Sequence, residues 1–424
     1  MTTTSRYHSI KINKKKCIGC IHCMKGCPTR AIRIRNGKAV IQYQKCIDCG
    51  ECLRLCPYDA VEPITTLQAD LKRFAYKVAI PSPVLYSQFG TQTTPAEILH
   101  VLQHMGFDHV YDEARMCEMV STAIEIYLDG HKTTRPIISS TCPVVVRLIQ
   151  RLFPSLRKLI IPIEPPREMA AKNLRREISQ RHKIAPEDIG IIHITPCAAK
   201  MVSINRPLSM KRSYLDGAIS IHDIYNEIMM RIKKTNRSLL LDTERPVSGI
   251  GIGWTMSGGE IRGMKYHNTI SVSGVLDTIR ILEDVEAGKL KDIEYLECLI
   301  CPEGCIGGPL TVENRFIAQS TINRLKRVYG EKKTVDVRTV HRLFKEKFFS
   351  FEHSIEPKPF PGLDADRAEA IKMLNMKENI MKKLPGKDCG ACGAPDCATL
   401  AEDIALGVAN LNDCVFCKGD RHDK

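Results

Sequence analysis

Two stretches near the start of the chain are one pattern written twice. CIGCIHCMKGCP at 17–28 and CIDCGECLRLCP at 46–57 both read C-x2-C-x2-C-x3-C-P. So many thiols in so short a segment leave little room for an ordinary apolar core. Its fold must be organised around whatever the thiols bind. The chain has 424 residues and nineteen cysteines, enough length for two to four domains. Its opening, MTTTSRYHSIKINKKK, is charged and lacks the apolar stretch of a secretory leader. No run of eighteen apolar residues is present, so no membrane span is expected. Cysteine-rich chains of this kind use thiols for metals, not disulfides. The reading is a cytoplasmic protein in a reducing compartment.

The spacing explains itself if each loop wraps one iron–sulfur cubane. Three closely spaced thiolates take three irons, and the fourth cysteine of each motif serves the other cluster. Cys17, Cys20, Cys23 and Cys56 are then one ligand set, and Cys46, Cys49, Cys52 and Cys27 the other. A zinc site would take four ligands, typically in two separated pairs, and suits the pattern poorly. Between the motifs, AIRIRNGKAVIQ reads as a hairpin with an Asn-Gly turn. Residues 10–62 resemble the bacterial two-cluster ferredoxins, which implies electron transfer.

Cysteines are sparse from 75 to 345, where β-branched runs alternate with helical patterns. KLIIPI and IGIIHITP read as buried strands, PPREMAAKNLRREISQRH as a helix, and ISVSGVLDTIRILEDVEAGKLKDIEYLEC as strand, helix, strand. The fold class is α/β with mainly parallel pairing. Expected boundaries are 1–74 for the ferredoxin-like segment, 75–349 for the α/β domain, 350–375 for a Pro-rich linker, and 376–424 for a small helical tail.

Three isolated motifs lie in the α/β region: SSTCP (139–143), TPCAAK (195–200) and ECLICPEGCIGG (297–308). They supply Cys142, Cys197, Cys301 and Cys305, four thiolates that would suit one buried cluster. These motifs resemble the three signatures of the [FeFe]-hydrogenase catalytic domain, T-S-C-C-P, M-P-C-x-x-K-x-x-E and E-x-M-x-C-x-x-x-C-x-G-G. SGGEIRG (257–263) is similar to a Gly-Gly segment of that family. The resemblance implies an H-cluster: a cubane held by the four cysteines, bridged through Cys305 to a diiron subsite carrying CO, cyanide and a dithiolate. It also implies that Lys200 donates to a cyanide ligand and that Ser82 is a second donor. For Lys200 the other reading is a surface lysine after a strand.

The departures carry information. Thr141 stands where the family has its proton-relay thiol, and Ser203 where it has the next relay glutamate. A thiol titrating near pH 8.5 shuttles protons at neutral pH, which an aliphatic hydroxyl does not readily do. Glu297 is retained. PPREM (165–169) aligns with a family S-P-Q-Q-M segment and places Glu168 near the cluster. Cysteine ligands without the fast proton path resemble the sensory type of [FeFe]-hydrogenase. Cys117 and Cys298 read as small buried hydrophobes.

In the tail, DCGACGAPDCATLAEDIALGVANLNDCVFC carries Cys389, Cys392, Cys397 and Cys414, with Cys417 spare. It resembles a four-cysteine [4Fe-4S] domain of multidomain redox proteins, and a structural zinc site is the alternative. The formal charge of +14 counts every cysteine as neutral. Each oxidised cubane with its thiolates adds roughly two negative charges. Residues 1–62 nevertheless hold twelve Lys/Arg against four Asp/Glu, which suits an acidic redox partner as well as it suits a solvated surface. No nucleic-acid-binding motif is present. The expectation is a low-turnover, sensory enzyme interconverting H2 with protons and electrons, relayed through [4Fe-4S] clusters to a redox or signalling partner. The other reading is an electron-transfer or scaffold protein that holds only cubanes.

Overall fold

The computed structural model describes residues 7–131, 135–234, 247–364 and 366–417. The first six residues of the charged opening stretch lie outside them. The chain divides into two compact units, Met1–Ile64 together with Pro359–Lys424, and Thr65–Lys358. The two ends of the chain, expected as separate domains, thus share one unit.

In the first unit, β1 (Ile10–Ile12) pairs antiparallel with a later strand, while β2 (Ile32–Arg35) and β3 (Lys38–Ile41) form the expected hairpin. Asn36 and Gly37 turn it with φ of 51° and 67°, the left-handed pair that a two-residue hairpin loop requires. The partner of β1 is β4 (Val61–Pro63). Short helices at His22–Lys25 and Glu51–Leu55 carry the third cysteine of each motif.

The tail supplies two helices, Arg367–Lys383 and Cys397–Ala405, packed around Ile380, Leu384, Ala394 and Leu400. It sits against the hairpin through buried charge. Asp403 accepts two hydrogen bonds from Arg33, Nε at 2.6 Å and Nη2 at 2.9 Å, and one from Arg35 Nη2 at 2.8 Å. Both Arg33 and Asp403 are almost fully buried. The Ile34 amide donates to Gly393 O at 2.9 Å. A Cβ on Gly393 would come within 2.2 Å of Ile34 O, and its φ of 77° also favours glycine. Lys45 and Lys377 both pair with Glu402, and Lys25 Nζ donates to the carbonyls of Asp388 and Pro395.

The second unit is α/β. β5 (Tyr76–Pro81) pairs in parallel with β6 (His109–Val110) and with a central strand that follows a long crossover. β7 (Ile137–Ile138) belongs to a second sheet. β8 (Ile189–Thr195) buries all seven residues and pairs with both β5 and β9 (Gly217–Ser220), giving the order β6-β5-β8-β9. Such continuous burial is what helices on both faces of a parallel sheet produce. β10 (Thr269–Ser273) and β11 (Tyr295–Leu299) complete the other parallel sheet, order β10-β11-β7. Leu85, Tyr86, Ile98, Ile192, Ile194 and Ile219 belong to the main core. The PPREM segment opens the helix Pro166–His182, as expected. KLIIPI departs from expectation. It makes only single bridges, Ile138 to Ile160 and Ile163 to Ser350. Pro162 lacks the amide needed to continue a ladder.

Asp403→Ala leaves the Arg33 guanidinium buried without its carboxylate and is expected to destabilise the first unit by about 3–5 kcal/mol. Urea unfolding checks this, and Arg33→Met with Asp403→Leu should recover most of the loss.

Candidate active site

All nineteen cysteines are free of disulfides, and those of the two paired motifs lie close enough to feel one another's charge. Burial pushes the Cys23 thiol up to about 11, and Cys17, Cys20 and Cys56 are close enough to add to the effect. Burial likewise raises Cys52 well above its ordinary value, with Cys49, Cys46 and Cys27 adding their charge. In the tail, Cys397 and Cys414 lie in the apolar cluster, Cys392 packs against it, and Cys389 and Cys414 bear on Cys392. Cys417 sits at the edge of this group, 3.6 Å from Lys383 O.

In the second unit, Cys142, Cys197, Cys301 and Cys305 line one cavity together with Lys200, Thr141 and Glu297. Each cysteine is placed by an adjoining element or a backbone bond. Cys142 precedes the helix Pro143–Leu152, and Cys197 lies between β8 and the helix Ala198–Asn205. The Thr195 hydroxyl closes that turn, accepting from the Cys197 amide and donating to its carbonyl, both at 3.1 Å. Cys301 follows β11, and Cys305 is held by its amide on Thr255 O at 2.8 Å. Gly307 and Gly308 close the third cysteine motif. Their tightest packing is against backbone: a Cβ on Gly308 would meet Pro196 O at 2.4 Å. That close approach joins the third cysteine motif to the second.

Lys200 is buried and faces the cavity. Burial pushes the Cys305 thiol up to about 12, and the Lys200 ammonium opposes the rise. Ser82 is fully buried with no partner for its hydroxyl among the described residues, but it is not among the residues that line this cavity. Glu168 is also turned elsewhere. Its carboxylate accepts from Ser213 Oγ at 2.9 Å and the Tyr214 amide at 3.1 Å. Arg167 faces the cysteines instead, because successive helical residues point about 100° apart. Cys298 and Cys117 are buried, and Cys298 feels Cys142 after burial itself.

Several lining residues escaped the sequence reading. Glu113 accepts from His193 Nε2 at 3.0 Å, deep in the core. Burial and then the Lys200 charge push His193 down to about 4, so the imidazole is neutral at pH 7. Burial opposes ionisation of Glu113, but His193, Lys200 and Arg167 outweigh it and hold the carboxyl below its ordinary range. Glu260, inside SGGEIRG, accepts from Ser139 Oγ at 2.8 Å and Tyr295 OH at 2.5 Å. Burial raises it to about 7, against the hydrogen bonds from Tyr295 and Ser139. Glu297 accepts the amides of Gly258 at 3.0 Å and Ile261 at 3.3 Å. Burial, then the charge of Glu260, raises it well above the usual carboxylate range. Two buried carboxyls this close do not both ionise easily. The only sequence signal for Glu260 was an acid inside a Gly-rich segment.

The cavity fits an iron–sulfur group with anionic ligands by the chemistry of its donors. Four thiols converge without disulfides, and two buried cations face them.

Comparisons with known proteins agree with this architecture. The model of the iron-only hydrogenase large subunit, C-terminal domain, matches residues 75–259 and 234–309. A 4Fe-4S dicluster domain matches 9–57, and an Fe-S cluster domain matches 384–416. The periplasmic [Fe] hydrogenase large subunit of Nitratidesulfovibrio vulgaris is 29% identical over 221 residues, 48% of this chain. The chain spans about half, 52%, of that relative's length. A variant of the [FeFe]-hydrogenase HydA1 from Chlamydomonas reinhardtii shares the fold with TM-score 0.52 at 14% identity, over 68% of this chain and 98% of that one. An [FeFe]-hydrogenase solved in a study of stepwise H-cluster assembly does so with TM-score 0.51 at 15% identity, over 69% and 97%. The family match spans more than half of the 424 residues and covers the whole cysteine cavity, and on that basis the chain belongs to the iron-only hydrogenase family.

Proposed function

We propose that this chain interconverts H2 with protons and electrons at low turnover and serves as a hydrogen sensor in the cytoplasm. One observation carries the reading. Four cysteines and Lys200 share a single buried cavity, while the two positions of the fast proton path hold Thr141 and Ser203. Cys142, Cys197, Cys301 and Cys305 would hold a cubane, and Cys305 would join it to a diiron subsite with CO, cyanide and a dithiolate. When bound, that group supplies the redox-active iron at which H2 is split or formed. The Lys200 ammonium would hold an anionic ligand of the subsite by a charge-assisted hydrogen bond.

The proton side falls to the chain's own residues. Thr141 lies at the cavity, and its side chain is close enough to Glu260 to bear on that carboxyl. A hydroxyl passes a proton only by giving one up as it takes another. Behind it, Glu260 holds or releases a proton near neutral pH. Transfer through this pair is slower than through a thiol, which suits detection of H2 better than flux. Cys17, Cys20, Cys23 and Cys56, then Cys46, Cys49, Cys52 and Cys27, would hold two further [4Fe-4S] clusters, and Cys389, Cys392, Cys397 and Cys414 another. They would relay electrons to a redox or signalling partner, and the basic character of residues 1–62 suits an acidic one. No helix among the described residues is long and apolar enough to cross a membrane.

Infrared spectra of anaerobic protein matured with a synthetic diiron subsite test the reading. Protein-bound CO and cyanide bands that shift under H2 are expected. Their absence beside intact cubanes favours the scaffold reading instead. In loaded protein, Thr141→Cys should raise H2 turnover tenfold or more, and an unchanged rate rejects Thr141 as the bottleneck. Glu260 gains protons on folding, since burial lifts it from 4.5 to about 7. Stability therefore falls as pH rises between those values and is level above them. Glu260→Gln should raise the melting temperature at pH 8, with the gain shrinking toward pH 4.5.

A further inference from the structure

Arg167 is the second residue of the helix Pro166–His182 and is only 4% exposed. Its guanidinium lines the cavity with Cys142, Cys197 and Lys200. The bonds it makes are long: Nη1 to Thr141 O at 3.5 Å and Nη2 to Ser203 Oγ at 3.4 Å. Its Nε has no partner among the described residues.

Neighbouring carboxylates feel its charge, yet none makes a hydrogen bond to it among the described residues. Glu113 is taken by His193, and Glu168 by Ser213 and Tyr214. Glu164 is raised to about 8 by burial, which keeps it largely neutral at pH 7. No ion pair to Arg167 exists among the described residues. A guanidinium carries five donors and cannot lose its proton. Burying one half-satisfied is strongly unfavourable unless an acceptor of negative charge joins it. With Lys200 beside it, the cavity presents two fixed cations to four thiols.

We propose that Arg167 is a second cationic donor, alongside Lys200, to the anionic ligands of the diiron subsite. This rests on the reading that the cavity holds such a subsite. Being permanently charged, Arg167 stabilises the more negative, reduced states of the group at every working pH. The subsite is then easier to reduce than it would be with Lys200 alone. A poise set by fixed charge is useful to a protein that reports H2 without turning it over quickly. It also accounts for a basic residue at the head of a helix, where the macrodipole disfavours one.

The test uses full-length protein matured with the synthetic diiron subsite, comparing wild type with Arg167→Met, Arg167→Gln and Arg167→Lys. Melting temperature and cubane electron paramagnetic resonance before subsite addition show that each variant is folded. Infrared spectroelectrochemistry then reads the site. Arg167→Met should move the cyanide and CO bands to lower wavenumber and shift reduction of the subsite to lower potential. Arg167→Gln should keep part of the band shift but not the potential, and Arg167→Lys should return both toward wild type. Bands and potential in Arg167→Met that coincide with wild type would confine Arg167 to bridging Thr141 and Ser203, and overturn the proposal. A wild type without bound bands overturns the diiron reading itself, and this proposal with it.

Discussion

A buried thiolate needs a compensating positive charge, and this chain buries thiols in several places at once. Burial lifts Cys23 to about 11, and Cys49 and Cys305 to about 12. Without metal these groups remain protonated at neutral pH. Binding iron would release those protons and supply the missing charge, so cluster loading and folding are coupled on the proposed reading. Much else follows from that demand. Around the two ferredoxin-like motifs the polypeptide is irregular loop on short helices, because the thiols set its shape.

The first unit shows how charge also joins distant parts of the chain. Arg33 and Asp403 are 370 residues apart, yet they form a buried, two-pronged pair. Arg35 adds a third bond to the same carboxylate. Lys25 lies between Cys23 and Cys27 and reaches the carbonyls of Asp388 and Pro395, on the loop that carries Cys389 and Cys392. The tail that composition presents as a separate appendage is therefore built onto the hairpin between the two ferredoxin-like motifs. Part of the basic excess of residues 1–62 is spent inside the unit on Asp396, Glu402 and Asp403. That portion is not available to an external partner.

In the second unit the polar interior divides into two charge environments. Lys200 and Arg167 place positive charge at the cysteines, with Glu113 in one wall and neutral His193 bonded to it from the core. Glu260 and Glu297 lie on the Thr141 side, where burial lifts Glu260 to about 7, and burial and then the Glu260 charge raise Glu297 well above the usual carboxylate range. The hydroxyls of Ser139 and Tyr295 fix the geometry of Glu260.

Cysteine spacing is a local property, and it was legible along the chain. The paired ferredoxin-like motifs, the four cavity cysteines, Lys200 and the Asn-Gly hairpin were all visible as short patterns, because a loop around a metal group or a two-residue turn is specified by adjacent residues. The strand at Ile189–Thr195 and the helix after PPREM were readable for the same reason. KLIIPI looked like a strand but lacks a ladder, since pairing depends on a neighbour that Pro162 cannot bond. Glu168 looked like the cluster-facing residue of PPREM, and Ser82 like a lining donor. The phase of one helix turned Arg167 to the cysteines in place of Glu168, and the cavity wall left Ser82 out. Glu260 became a proton-holding group only when folding placed it beside Ser139, Thr141 and Tyr295. The sequence by itself determined which atoms can bind metal. Tertiary structure alone decided which charges face them, because orientation and burial arise between segments that are far apart along the chain.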